Sequence, residues 1–192
     1  KYDVIVVGGG HAGCEAAAAA ANMGNRTLLI TMNMNAMAAM SCNPAVGGIA
    51  KGQIVREIDA LGGQMGIVAD KTMIQFRMLN KSKGPAVWSP RVQSDKFEFA
   101  AEWRNVLEKT RNLEFWQDHV DSLIVDGDII KGVHCQMGGE IYSKTVILTN
   151  GTFLNGKIFI GEKSFSGGRI SESASYGITE QLVSLGFEAD RM

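Results

Sequence analysis

The sequence has few cysteines. Its 192 residues include Cys14, Cys42 and Cys135, and no two of them have the spacing of a zinc-binding or disulfide pair. This scarcity argues against a disulfide framework and against a structural zinc site. We therefore expect no metal centre and a reducing, cytoplasmic compartment.

Long apolar runs are also missing. No stretch approaches the roughly 20 apolar residues that a membrane-spanning helix needs. The opening apolar run, residues 3–7, leads into glycines rather than into a signal-peptide cleavage site. With 45% hydrophobic and 20% charged residues, the composition is that of a soluble globular protein, and we expect no membrane association.

A strong net charge is absent as well, but the charge is unevenly distributed. The chain carries −1 overall, whereas residues 77–96 contain five basic side chains and one acidic side chain, a net +4. A basic segment on an otherwise acidic chain can face phosphate or nucleic acid, or it can be a solvated loop. Charge alone leaves both interpretations open.

The first 31 residues have the pattern of a βαβ unit. Residues 3–8 form a β-branched run typical of a strand buried on both faces. The alanine-rich segment that follows, closed by Gly24, predicts a tightly packed helix, and residues 26–31 predict a second strand. Such a unit belongs to a parallel sheet.

A glycine-rich turn joins the first strand to the first helix. It matches G-x-G-x-x-G through Gly8, Gly9, Gly10, His11, Ala12 and Gly13. In this context Gly8 makes the turn, Gly10 lets a pyrophosphate approach the backbone, and Gly13 lets the helix pack closely on the strand. Because the helix N-terminus also offers free N–H donors, we expect these six residues to bind a dinucleotide, His11 through its backbone rather than as an acid or base.

Two features bear on which dinucleotide is bound. The acidic residue that usually holds a ribose at the end of the second strand is missing, since residues 31–33 are Thr-Met-Asn. A later apolar strand ends in Thr149, Asn150 and Gly151, as in flavoproteins of the glutathione-reductase-like type. We therefore favour FAD over NAD and expect Thr149 and Gly151 to meet the glycine turn.

The remaining patterns complete the predicted fold. Helices are expected at residues 49–61, 93–109 and 175–185, with Phe97 and Leu107 on one face of the second. Strands are expected at 113–117, 120–137 with a hairpin turn at 126–128, and 140–151. The prediction is an α/β, Rossmann-like FAD-binding domain: a parallel sheet, flanking helices and an added antiparallel β element. Residues 1–192 are expected to form the front portion of this domain in a longer chain.

Several motifs together resemble one family. The segments VVGGGHAGCEAA, MSCNPAVGGIAKG, EIDALGG, IQFRMLNKSKGPAV, TNGTFLNGKIFIG and SFSGGR are similar, in this order, to the front of the MnmG (GidA) family. The resemblance covers nearly the whole chain. One departure is Trp88, which stands where family members often have arginine.

The resemblance implies a tRNA-modifying flavoenzyme. With FAD, NADH and methylenetetrahydrofolate, and with the GTPase MnmE as partner, the family adds a carboxymethylaminomethyl or aminomethyl group to C5 of the wobble uridine, U34, of certain tRNAs. A homodimer that joins the partner in a heterotetramer is implied too. By the same resemblance, residues 8–13 contact the pyrophosphate, Val120 and Ser175 contact FAD, and Cys42 is one of two catalytic cysteines.

Cys42 lies in a segment rich in proline and glycine, residues 41–52. Exposed backbone N–H groups at a helix start would lower the pKa of its thiol, whereas the alternative is a small buried hydrophobe. Because uridine C5 is a poor nucleophile, a thiolate that adds to C6, or acts as a base, would activate it. Cys14 and Cys135 are expected to be inert packing residues.

The basic segment offers candidate nucleic-acid contacts. Lys81, Lys83 and Arg91 are expected to contact tRNA phosphate, with folate glutamate or solvent as alternatives, and Trp88 could stack on a base. Two other functions remain open: a flavin oxidoreductase of small molecules, and a flavin-binding scaffold that docks tRNA or the GTPase without chemistry of its own.

Overall fold

The computed structural model describes residues 1–41 and 43–190 of the chain. Its strands and helices follow one another in this order: β1 (Tyr2–Val7), α1 (His11–Asn22), β2 (Thr27–Thr31), β3 (Ala45–Gly47), α2 (Gly52–Ala60), α3 (Met65–Lys71), β4 (Met73–Leu79), β5 (Ser89–Ser94), α4 (Lys96–Lys109), β6 (Leu113–Gln117), β7 (Val120–Asp126), β8 (Ile129–Cys135), β9 (Glu140–Leu148), β10 (Lys157–Ile160), β11 (Lys163–Ser166) and α5 (Ile178–Ser184).

The central sheet has the strand order β6-β2-β1-β9-β8-β7. The strands β6, β2, β1 and β9 run parallel, while β7 and β8 continue the sheet as an antiparallel extension of β9. Val6, for example, pairs with Leu29 on one side and with Ile147 on the other. The predicted α/β fold with an added antiparallel β element is therefore confirmed.

The two faces of the parallel strands bury different cores. Val6 and Leu29 point to the face covered by α1 and α4, where Trp103 is fully buried. Ile5 and Ile30 point to the opposite face, where they pack with residues of β7, β8 and α5. Successive side chains of a strand alternate between faces, so a strand covered on both sides must be apolar throughout, as β1 is.

A second, antiparallel sheet has the order β3-β5-β4 and was not predicted. It includes part of the basic segment, and it changes the predicted start of α4. Gln93 belongs to β5, and the helix begins at Lys96 because Asp95 caps it, its carboxylate accepting from the backbone N–H groups of Phe97 and Glu98 at 2.8 and 2.9 Å.

The buried face of α4 also differs from the predicted one. Phe97 is 81% exposed, whereas Phe99, Trp103 and Leu107 are fully buried. The predicted helices at 49–61 and 175–185 correspond to the shorter α2 and α5. Of the helices within the described ranges, none is both long and apolar enough to cross a membrane.

Candidate functional site

A cleft of about 760 Å³ opens at the carboxyl ends of the parallel strands. Its walls are the turns that follow β1, β2, β6 and β9, together with residues 168–175. Crevices at the carboxyl ends of parallel strands are where open α/β sheets bind their ligands. The position of the cleft therefore follows from the topology of the sheet.

The glycine turn forms one wall of this cleft. Gly8 has φ +110°, a conformation that favours glycine, and its N–H donates to Ile30 O at 2.8 Å. Gly10 caps α1 and lines the cleft, and a β-carbon there would meet nothing within 4 Å. A β-carbon on Gly13 would overlap the carbonyl oxygen of Gly8. These are the three glycine roles of a pyrophosphate-binding turn.

The first turn of α1 provides the donors for such a ligand. The N–H of Cys14 donates to Gly10 O at 2.9 Å and so begins the helical hydrogen-bond series. The N–H groups of the three residues before it have no acceptor within the helix. Free donors and the positive end of the helix dipole favour an anion next to Gly10.

The end of β9 meets the glycine turn, so that residues about 140 apart in sequence share one site. The N–H of Thr149 donates to Val7 O at 2.9 Å, and its hydroxyl lies 2.8 Å from Val7 O and 3.1 Å from Gly8 O. Thr149 also packs against Gly8, where a β-carbon would lie 2.6 Å from the threonine carbonyl oxygen. Asn150 and Gly151 then extend along the cleft.

Three buried polar atoms of the cleft have no hydrogen-bond partner within the described residues: Asn150 Oδ1, Ser175 Oγ and His119 Nδ1. Most buried polar side-chain atoms in proteins have a partner. Because these three line one cleft, they fit a ligand rich in hydrogen-bonding groups, as a dinucleotide is. Asn150 and His119 were not predicted as site residues.

The cleft is lined by an acidic residue, Asp118, although β2 does not provide one. Asp118 follows β6, is 7% exposed, and donates its backbone N–H to Thr31 O at 3.0 Å. Its carboxylate accepts from the N–H of His119 at 2.7 Å and from Trp116 Nε1 at 3.4 Å. Asp118 was not predicted as a site residue, but its position directly after a strand of the parallel sheet could have indicated it.

The structure places the predicted cofactor residues in two groups. The cleft is lined by Gly8, Gly9, Gly10, Val120, Thr149, Gly151 and Ser175. The side chain of His11 points away from it: Nε2 donates to Ala38 O at 2.9 Å, and the ring contacts Phe99 edge-on at 5.8 Å between ring centres. Burial lowers the pKa of His11, which favours the neutral ring, and the residue lines a separate groove rather than this cleft. Ala12 is exposed and Gly13 is buried within the turn.

The two described cysteines, Cys14 and Cys135, are buried and have protonated thiols. Burial raises the pKa of Cys14 to about 12 and that of Cys135 to about 11, so both thiols are protonated at neutral pH. Their burial confirms the prediction of packing residues. Cys42 lies outside the described residues. The residues on either side of it, Ser41 and Asn43, line a second groove of about 370 Å³.

The predicted nucleic-acid contacts lie apart from the cleft. Lys81 and Lys83 are exposed in the 3-10 turn Lys81–Lys83, and Arg91 is exposed on β5. Trp88 is 42% exposed, and its indole Nε1 donates to Lys81 O at 3.2 Å, which fixes the ring on the loop. Among the residues the structure describes, no group of three or more His, Cys, Asp or Glu side chains could hold a metal ion.

Comparison with known proteins identifies similar chains. The family model described as GIDA, glucose inhibited division protein A, matches residues 3–192. Proteins named tRNA uridine 5-carboxymethylaminomethyl modification enzyme MnmG from Flavobacterium johnsoniae and Cytophaga hutchinsonii are 68% and 67% identical over 192 residues, which is 100% of this chain. The chain spans 31% of the length of each of these curated relatives.

A solved structure of GidA from Aquifex aeolicus is similar in both sequence and fold. It is 49% identical and superposes with a TM-score of 0.94 over 98% of this chain and 31% of that chain. The GidA-related protein from Thermus thermophilus, 24% identical with a TM-score of 0.71, shares the fold, and the match covers 99% of this chain and 71% of that chain.

Proposed function

The chain belongs to the GidA family, and from this premise we propose that it is the FAD-binding front part of an enzyme that modifies the wobble uridine of tRNA. The whole enzyme adds a carboxymethylaminomethyl or aminomethyl group to C5 of U34. It uses methylenetetrahydrofolate and NADH and works with the GTPase MnmE. The names of the relatives at 68% and 67% identity support the tRNA uridine as substrate.

The single observation that carries the FAD proposal is the meeting of the glycine turn with the end of β9. Gly10 leaves open space where a pyrophosphate would approach the backbone, and Thr149 closes the same turn from the other strand. The unpartnered buried atoms of Asn150, Ser175 and His119 line the cleft beside them. These residues fit a dinucleotide such as FAD.

Each part of the cleft has a proposed task. The free N–H groups of the first turn of α1 bind the pyrophosphate, and Asp118 with Val120 holds the adenosine end. Gly151 and Ser175 line the rest of the cleft. When bound there, FAD would supply the redox chemistry of the reaction, with NADH as the source of electrons.

Cys42 is the proposed catalytic residue on the uridine side. As a nucleophile, its thiolate would form a bond to C6 of the uracil ring, and the displaced π electrons would make C5 able to attack the one-carbon electrophile. Loss of the C5 proton and departure of the thiolate would then restore the ring. As a base, the thiolate would instead accept a proton during the same C5 substitution.

The partners are proposed for the whole protein. Because this chain spans 31% of its relatives, binding of NADH, folate and MnmE is expected to involve the rest of the sequence, as are the homodimer and the heterotetramer. Lys81, Lys83 and Arg91 are the proposed tRNA contacts on this part. A cytoplasmic location follows from the tRNA substrate.

Deletion of the gene, followed by nucleoside analysis of bulk tRNA, tests the proposed function. Loss of the C5 modification at U34, restored by the wild-type gene, is the expected result. A small-molecule oxidoreductase would leave U34 modification intact. A scaffold without chemistry of its own would lose the modification on deletion, but it would regain it with a Cys42→Ser gene.

A further inference from the structure

The second sheet, β3-β5-β4, has one polar face. Its cross-strand partners form two rows: Gly47, Arg91 and Arg77 in one, and Ala45, Gln93 and Gln75 in the other. Directly opposed residues of an antiparallel pair point to the same side of the sheet. The alternate residues of β5, Val92 and Ser94, are buried on the other side, while Arg91 and Gln93 are exposed.

Arg77 and Arg91 are an unfavourable pair in the protein alone. They lie directly opposite each other on adjacent strands, at the Cα separation of about 5 Å that such pairs have. Both are exposed, and neither forms an ion pair within the described part of the chain. Like charges in this position destabilise a sheet, so the pair is not explained by stability.

The arginine pair adjoins the glycine-rich residues 43–52, which follow Cys42 in the sequence. A β-carbon on Gly48 would lie 4.0 Å from Arg91 Cδ, so the arginine stem runs beside this glycine. The segment is held on β5 by backbone hydrogen bonds from Gly48 N to Pro90 O at 2.9 Å and from Ser94 N to Pro44 O at 2.8 Å. The same strand therefore carries Arg91 and anchors both sides of the glycine-rich segment.

We propose that Arg77 and Arg91 form a cross-strand clamp for the phosphates of one RNA strand and direct that strand toward the glycine-rich residues 43–52. This inference rests on the proposed tRNA function and adds the residue pair and its orientation. Each planar guanidinium can hold a phosphate through two parallel hydrogen bonds. A bound phosphate removes the repulsion between the two arginines.

The surroundings favour a polynucleotide over a small anion. Gln75 and Gln93 continue the polar face beside the arginines, where their amides can bond to ribose hydroxyls or base edges. Lys81 and Lys83 extend the positive charge beyond the end of β4. A line of donors and cations along an open sheet face matches a strand with one phosphate per nucleotide.

The test is RNA binding by the full-length protein with the double variant R77Q/R91Q. The probe is an anticodon stem-loop RNA with uridine at the wobble position, titrated by fluorescence anisotropy at several salt concentrations. We expect the affinity to fall about tenfold or more, and the slope of log K against log salt to decrease by about 1.4, or about 0.7 for each lost phosphate contact. Thermal stability should not fall, because the mutation removes a repulsive pair.

Two further variants act as matched controls. K109Q/R111Q removes the same charge at the far end of α4, whose 14 residues span about 20 Å, and it should keep wild-type binding. R77K/R91K keeps both positive charges but removes the planar guanidinium groups that can form two parallel hydrogen bonds to a phosphate. It should bind with an affinity between those of the wild type and the glutamine variant.

Each outcome decides one point. Wild-type protein that does not bind the RNA would refute the proposed function itself. Wild-type binding combined with an unchanged affinity and salt slope in R77Q/R91Q would refute the clamp. Equal losses of RNA affinity in R77Q/R91Q and K109Q/R111Q would assign the effect to net charge. Loss of methylenetetrahydrofolate binding by R77Q/R91Q, with RNA binding intact, would assign the arginine pair to folate. Both results would contradict the proposal.

Discussion

Gly10 and Gly13 lie three residues apart in the same turn, yet substitutions at the two positions should have opposite consequences. At Gly10 the backbone is extended, with φ −74° and ψ −177°, and a new side chain would enter the open cleft. At Gly13 a β-carbon would overlap Gly8 O and lie 2.7 Å from Thr149 Oγ1. The first substitution meets only a ligand, and the second meets the protein.

The magnitudes follow from these contacts. Gly10→Val should change the free energy of unfolding by no more than about 1 kcal/mol, because the conformation is allowed and the space is free. It should remove the approach of the pyrophosphate to the backbone. Losing two charge-assisted hydrogen bonds of about 1.5–3 kcal/mol each weakens FAD binding roughly a hundredfold or more. Gly13→Ala should cost about 3 kcal/mol or more, because α1 must move away from β1.

The assay measures bound flavin by visible absorbance and stability by thermal unfolding in the same full-length preparations. Gly139→Val is the matched control, since a β-carbon there also meets nothing within 4 Å and the residue does not line the cleft. It should keep both flavin and stability. A Gly10→Val protein with normal flavin content, or a Gly13→Ala protein as stable as the wild type, would refute this account of the turn.

Three further results are expected. Cys42→Ser should keep flavin content and tRNA affinity but lower the rate of U34 modification by orders of magnitude, because a serine hydroxyl stays protonated at neutral pH. The control, Cys14→Ser, should change stability alone. A near wild-type rate for Cys42→Ser would show that no thiolate is needed. Iodoacetamide at mildly alkaline pH should label Cys42 before Cys14 and Cys135, because the pKa values of these two thiols are raised to about 12 and about 11. Mass spectrometry that finds all three cysteines labelled at the same rate would contradict this order of labelling. Lys81→Ala with Lys83→Ala should weaken tRNA binding and reduce its salt dependence, and an unchanged salt series would assign both lysines to solvent.

The parallel sheet could be predicted from sequence because its strands are locally distinctive. Residues of β1 and β2 are apolar on both faces, and the glycines between β1 and α1 have the spacing of a pyrophosphate-binding turn. Thr149 could be placed beside Gly8 by analogy with other flavoproteins. In each case the signal lay within a short segment or in a well-known connection.

The second sheet gave no comparable signal. Most of β4 is exposed, so it lacks the alternation of buried and exposed residues that marks a strand. In β5 the buried positions include Ser89 and Ser94 rather than large apolar residues. The start of α4 did carry a signal, the capping residue Asp95, but the apolar pattern placed the helix three residues too early and chose Phe97 over Phe99.

The polar residues of the cleft were missed for a different reason. Asp118, His119 and Asn150 follow the ends of parallel strands, and their roles depend on how the strands are ordered in the sheet. Sequence indicates that β6 exists, but not that it lies two strands away from β1, with β9 on the other side of β1. Only this order brings the three side chains into one cleft.

The most direct test of the central claim joins the cleft to the tRNA chemistry. A strain that lacks the gene is complemented with the full-length Gly10→Val gene, expressed at the wild-type level, and U34 of its tRNA is analysed by mass spectrometry. If the cleft binds the flavin that the reaction needs, U34 stays without its C5 group, while the wild-type gene and the Gly139→Val gene restore it. Restoration of the C5 modification by Gly10→Val would contradict the account.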